Sequence, residues 1–189
     1  MAYKVGALLL AAGMSTRAGP INKLLAPING TPMAETVLDQ LQKSLCYPVF
    51  IVTGHEAERV EQVLRCPGVQ FVHNSDYSSG MASSLRCGVE AMANGLDAIL
   101  ITLADMPHID SSTCDALIKK FAPEKGYHIC VPLQNGKRGH PVLIGHKYFG
   151  QFQKLRGDKG GKQILDNNTD AVLEVQVDDP GIHQDYDVI

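Results

Sequence analysis

Short, largely apolar runs recur along this chain, and the stretches between them carry apolar residues at helical spacing. A run that is apolar at every position has both faces buried, which points to a strand covered by helices on two sides. Val5–Leu10 is such a run; Val49–Thr53, Val69–His73 and Ala98–Leu103, each with one or two polar residues, are further strands, the last the best candidate for the centre of a sheet. Thr31-Pro32 is a helix start, with Thr as cap and Pro in the first turn, and Ala34, Val37, Leu38, Leu41 and Leu45 follow it at helical spacing. Glu56–Leu64 is a second helix and Met81–Ala93 a third, with Leu85, Val89 and Met92 inward. Ser111 or Ser112 caps a fourth that runs to Phe121. Ile129–Pro132 and Pro141–Ile144 are strands near a sheet edge, because proline cannot donate to a ladder. Tyr148–Leu155 and Gly161–Leu165 form short helices, and Ala171–Val177 is a late strand. The alternation predicts an α/β fold: a single domain over 1–189, a mostly parallel sheet with helices on both faces, and ligands beyond the carboxyl ends of the strands. Gln134–His140, polar and glycine-bearing, is a hairpin turn or a loop over a site.

The first run also admits a targeting reading, since Lys4 precedes it and small residues follow. Val5–Ala12 is short for the core of a signal peptide. The five cysteines are odd in number and contain no CxxC, so they are reduced buried thiols rather than a disulfide framework or zinc site. A buried strand is the better reading, with a cytoplasmic location expected. No stretch reaches the ~20 apolar residues of a membrane helix. The net charge of −3 argues against nonspecific nucleic-acid binding, which needs a basic face, but leaves room for a small anion held by local cations.

Four stretches carry chemistry. In "LLLAAGMSTRAGPINKLL", residues 8–25, Leu10, Ala11, Ala12 and Gly13 follow the strand, and small side chains there let backbone N–H groups approach an anion. Arg17 and Lys23 would neutralise it, the first by its fork and the second as a point charge. No GxxxxGK[ST] or GxGxxG is present, so a plain strand-to-helix turn with solvated cations stays open. In "LADMP", Asp105 stands just past a buried strand; Asp110, Ser111 and Ser112 supply caps for the next helix, which leaves Asp105 to a metal such as Mg²⁺. The polar stretch from Asn74 to Ser84, which includes Ser83, suits a base or ribose, although capping by Ser79 explains it equally well. Arg138-Gly139-His140-Pro141, followed by Gly157-Asp158-Lys159-Gly160-Gly161-Lys162, puts charge in glycine-rich turns fit for a second anionic substrate, with His140 alone also readable as a satisfied loop histidine.

Together these residues carry a resemblance. The opening stretch resembles the signature loop of nucleotidyltransferases that share a small Rossmann-like fold, a three-layer sandwich of the nucleotide-diphospho-sugar transferase type. "TLADMP" resembles their metal-binding aspartate. "NSDYSSGMASSLRCG", "RGHPVLI" and "GDKGGK" are similar to the short, MobA-like branch that transfers a nucleotide to molybdopterin, in particular its cytidylyl-transferring members. The likeness runs from Val5 to Asp187.

The resemblance implies Leu10, Ala11, Ala12, Gly13, Lys23, Asn74 and Ser83 around the nucleotide, and Arg17, Lys23 and Asp105 in catalysis. It implies Gly139, His140, Pro141, Asp158 and Gly160 toward the pterin. Mg²⁺ would be held by Asp105 and by Asp185 or Asp187 in "QDYDVI", Asp185 favoured as the first acid of the pair. The pair Ala11-Ala12 implies CTP, where GTP users tend to have Ala-Gly. The family's later glycine turn usually ends in Arg where Lys162 stands here. Its last acidic pair is usually followed by Thr-Pro and a helix. The implied partners are CTP (or GTP), molybdopterin or the molybdenum cofactor, and a molybdoenzyme or its chaperone. The implied reaction is in-line attack of the pterin phosphate on the α-phosphorus with loss of pyrophosphate. A guanylyltransferase, a sugar-1-phosphate nucleotidyltransferase and a non-catalytic cofactor carrier remain as alternatives.

Overall fold

The structure, a computed structural model, describes residues 3–14, 22–158 and 160–186. Its strands are β1 (Val5–Ala11), β2 (Pro27–Ile28), β3 (Thr31–Pro32), β4 (Val49–Thr53), β5 (Val69–His73), β6 (Ala98–Leu103), β7 (Ile129–Gln134), β8 (Lys137–Arg138), β9 (Val142–Gly145) and β10 (Val172–Gln176). Its α-helices are α1 (Met33–Lys43), α2 (Ala57–Leu64), α3 (Met81–Met92), α4 (Ser111–Lys120), α5 (Phe149–Phe152) and α6 (Lys162–Asn167). One sheet has the order β10-β7-β9-β6-β1-β4-β5, with β8 paired to β7. Within it β5, β4, β1 and β6 are parallel; β9 runs against both β6 and β7, and β7 is parallel to β10.

The apolar runs of β1 and β6 are explained by burial on two faces. Ala7, Leu9 and Leu100 join a core under α1, α2 and α4, while Leu8, Ile99 and Ile101 join a second core under α3, α5 and α6. This is the expected α/β sandwich, and the opening run is a central strand. The five cysteines are free, three of them buried. No described helix is long and apolar enough to cross a membrane.

Several expectations are corrected. Thr31 does not cap α1: it pairs with Ile28 in a short antiparallel ladder, and Pro32 precedes the helix with no side-chain cap bond. Leu45 is not on the buried helical face, because the chain turns extended at Ser44, whose hydroxyl donates to the Leu41 carbonyl. The cap of α4 is Asp110, not a serine; its carboxylate accepts from Ser112 N at 2.8 Å. The proline-bearing strands lie inside the sheet, and β5 and β10 are its edges. Pairing of β7 with β9 stops at Cys130 and pairing with β8 begins at Leu133, so Pro132 sits where that side of the strand needs no donor; its carbonyl accepts from Gly139 N at 3.0 Å. The Gln134–His140 stretch is the expected hairpin turn, and it also walls a cavity.

Candidate functional site

Two cavities open at the carboxyl ends of the parallel strands. The first, of about 490 Å³, is lined by Leu10, Ala12 and Gly13 after β1, Lys23, Tyr77–Met81 before and at the start of α3, Leu103, and Asp105 after β6. The second, of about 690 Å³, has an apolar floor that includes Ile101 and Val131 and a rim from Lys137–His140 and Gly160–Lys162. Leu10, Met81, Leu103 and Asp158 line both, so the cavities adjoin.

Local packing sets Lys23, Asp105 and Asp158. Lys23 starts a 3-10 turn whose cap, Asn22, accepts from Leu24 N at 3.1 Å, while Leu24 is buried in the core. Asp105 lies between buried Ala104 and Met106 just past β6, and Ala104 N still donates to the Leu10 carbonyl at 3.1 Å. With both neighbours anchored, the carboxylate meets Lys23: Nζ to Oδ2 is 2.8 Å, each side chain half-buried. Asp158 stands at the seam, where Oδ1 accepts from Met81 N at the amino end of α3 at 3.2 Å.

Of the residues expected around a nucleotide, Leu10, Ala12, Gly13 and Lys23 line the first cavity. Ala11 faces the core under α1 instead. Asn74 and Ser83 are buried beside the cavity rather than in its wall, with Asn74 Nδ2 donating to Ser83 Oγ at 2.8 Å and to Ser84 Oγ at 3.0 Å. They brace the turn that presents Tyr77–Met81. Gly139, His140, Asp158 and Gly160 line the second cavity; Pro141 is buried behind it. Arg17, Lys159 and Asp187 lie outside the described residues. Asp185 lines neither cavity, but Tyr186 N donates to the Asp105 carbonyl at 2.8 Å, so the backbone of this segment reaches the site.

The imidazole of His140 has its Nδ1 buried with no hydrogen-bond partner among the described residues. Burial pushes its pKa down, and the Asp105 charge pulls it partly back. Arg138 Nε donates to Glu174 Oε1 at 2.8 Å across the rim of the second cavity. Glu174 and Asp166 are lining residues the sequence did not announce, being acids in an edge strand and a short helix, where solvated charge is the ordinary expectation.

A hard divalent cation takes oxygen ligands and commonly keeps water and substrate phosphates among them. The Asp105 carboxylate at the mouth of the first cavity fits that chemistry. Among the described residues no three acidic, histidine or cysteine side chains converge on a metal position, so protein ligands alone would not complete a shell.

The family described as MobA-like NTP transferase domain matches residues 7–174. The chain is 28% identical to nicotine blue oxidoreductase of Paenarthrobacter nicotinovorans over 98% of its own length and 93% of that protein's. It is 28% identical to molybdenum cofactor cytidylyltransferase of Escherichia coli over 74% of its own length and 69% of the relative's. Among solved structures, Rv0371c of Mycobacterium tuberculosis superposes with a TM-score of 0.82 at 25% identity, over 94% of this chain and 89% of that one. A manganese complex of that protein has also been solved.

Proposed function

We propose that this chain, which belongs to the MobA-like NTP transferase family and is a nucleotidyltransferase, transfers the cytidylyl group of CTP to the phosphate of molybdopterin and releases pyrophosphate. The observation that carries the reading is the pair of adjoining cavities, with Lys23 and Asp105 in the first and Arg138 and Lys162 among the charged residues on the rim of the second. A triphosphate enters beside the backbone of Leu10–Gly13, and Lys23 offsets charge that grows on the leaving pyrophosphate. The acceptor lies on the apolar floor of the second cavity, its phosphate turned toward the seam. Arg138 and Lys162 hold that phosphate, and Asp158 stands where the two substrates meet.

The nucleophile is a substrate phosphate, so the chain needs no base or covalent nucleophile; its task is alignment and charge neutralisation. Asp105 holds a divalent ion, Mg²⁺ in this proposal, which when bound neutralises phosphate charge. Asp185 is the proposed second acid, supported by the approach of Tyr186 to Asp105. Ala12, which lines the first cavity and also joins the core under α3, supports CTP: in this reading its methyl leaves less room for a purine than glycine would. The deciding experiment supplies each of the four NTPs with Mg²⁺ and molybdopterin and scores pyrophosphate. CTP should give the fastest release. A preference for GTP would overturn the choice of base, and no release with any NTP would overturn the choice of acceptor.

A further inference from the structure

Asp179 takes part in neither cavity, yet among the described residues it is the one buried charged side chain, 7% exposed. Three donors converge on it. Thr113 Oγ1 donates to Oδ2 at 2.6 Å, Asp110 N to Oδ2 at 3.0 Å, and Gly181 N to Oδ1 at 2.9 Å. Two of them belong to the start of α4, the third to the segment that follows Asp179 itself. A buried carboxylate with its acceptors filled is a fixed point, because releasing it strands both the charge and the donors.

From that point the chain runs as a strap across the ends of β6 and β7. The turn Pro180–His183 is wedged between two backbones. A Cβ on Gly181 would fall on the carbonyl oxygen of His108, and a Cβ on Gly139 would fall on the carbonyl oxygen of Ile182. Ile182 is buried, and its carbonyl accepts from His140 N at 3.0 Å. Farther on, Tyr186 N donates to the Asp105 carbonyl at 2.8 Å. The strap therefore bonds to the backbone of Asp105 in the first cavity and to the backbone of His140 in the second, and Asp179 fastens it to α4.

We propose that Asp179 is a positioning residue, which through the 180–186 strap holds Asp105 and the 139–140 turn in fixed register so that nucleotide and acceptor meet in line. The coupling of two backbones is independent of which nucleotide or acceptor is used; its kinetic readout rests on the nucleotidyl-transfer reading above. Asparagine cannot replace Asp179 fully. In either orientation its amide nitrogen would face a backbone N–H, that of Gly181 or that of Asp110.

The test uses the full chain carrying Asp179→Asn, Thr113→Val or Gly181→Ala; the last dislodges the strap by sterics without touching the carboxylate. Hydrogen exchange, which needs no substrate, is read at His140 and Tyr186. Both amides should open together, by roughly tenfold or more in Asp179→Asn and Gly181→Ala and less in Thr113→Val. With CTP and molybdopterin, kcat should fall and the KM for molybdopterin rise, each by about five- to tenfold, while the KM for CTP stays within about twofold. Wild-type exchange at the two amides in Asp179→Asn and Gly181→Ala would overturn the strap. Open amides with unchanged kinetics would overturn the positioning role, as would equal shifts in both KM values alongside a general loss of stability. If the wild type itself releases no pyrophosphate, the proposed substrates fail, and exchange still decides the strap.

Discussion

The two cavities meet along Leu10, Met81, Leu103 and Asp158, but they are built in opposite ways. The first is the product of the parallel half of the sheet: the loops after neighbouring β1 and β6 supply Gly13, Lys23 and Asp105, and all strands there run the same way. The second stands over the half where β9 reverses direction, and its rim comes from the β7–β8 hairpin, Asp158, Gly160–Lys162 and β10. Parallel strand ends concentrate loop backbone and charge at one edge, which suits a triphosphate. A reversed strand removes one such loop and leaves an apolar floor, which suits the body of a larger acceptor. The difference divides the expected lesions. Changes in the first cavity should stop chemistry, whereas changes at the second should alter recognition.

Asp105→Asn is the hardest test of that division. Loss of a carboxylate that bears on transition-state charge removes several kcal/mol, so turnover should drop by about 10³-fold or more at every acceptor concentration. The Lys23–Asp105 pair is part-exposed, and its contribution to stability is only about 1 kcal/mol or less. The melting temperature should therefore move little. Near wild-type turnover at limiting Mg²⁺ would break the distinction between the cavities. Lys23→Ala comes next, with a loss of about 10²-fold in kcat, the usual size for one preorganised donor. Lys23→Arg should recover only part of it, because a planar fork does not fit a position set for a point charge 2.8 Å from Asp105. Full recovery would mean that charge alone matters there.

Much of the first cavity was legible because its residues sit in contiguous stretches and a parallel sheet places strand ends together. "LAAG", Lys23 and "LADMP" needed no knowledge of distant partners. The second was legible only as glycine-rich turns, since its floor consists of core residues such as Ile101 and Val131 that carry no local signal. Asp179 was missed for a related reason: its partners Thr113 and Asp110 are 66 and 69 residues away. Asn74 and Ser83 were legible as polar residues near the site, but their mutual bond, which turns them inward, was not. Pro132 misled because the rule against proline in central strands concerns a missing donor, and at that position the ladder itself has a gap.

Base choice offers a finer probe of the first cavity. Ala12→Gly removes one methyl from its wall, and steric discrimination of that size is worth ~1–3 kcal/mol. The GTP-to-CTP ratio of kcat/KM should rise by about tenfold, with the KM for molybdopterin unchanged. An altered molybdopterin KM at constant base preference would place Ala12 on the wrong side of the seam.

The smallest effect, and the one that most sharpens the contrast, belongs to Arg138. Glu174 engages its Nε at 2.8 Å, and both side chains are 42% exposed. An exposed pair of this kind contributes only ~0.2–1 kcal/mol to stability, so Arg138→Ala should leave the fold intact. What it should lose is a fork with two further nitrogens on the rim of the second cavity. A solvent-facing anion contact of that type should raise the KM for molybdopterin by roughly three- to tenfold, or ~0.6–1.4 kcal/mol. Neither the KM for CTP nor the rate at saturating acceptor should change. Glu174→Gln separates two explanations. If Glu174 only orients the guanidinium, that variant shifts the same KM in the same direction but less. If Glu174 instead competes with the acceptor phosphate for Arg138, removing its charge lowers the KM. Steady-state titration of molybdopterin at fixed CTP distinguishes the two, and a fall in kcat for Arg138→Ala at saturation would mean that the rim of the second cavity takes part in chemistry after all.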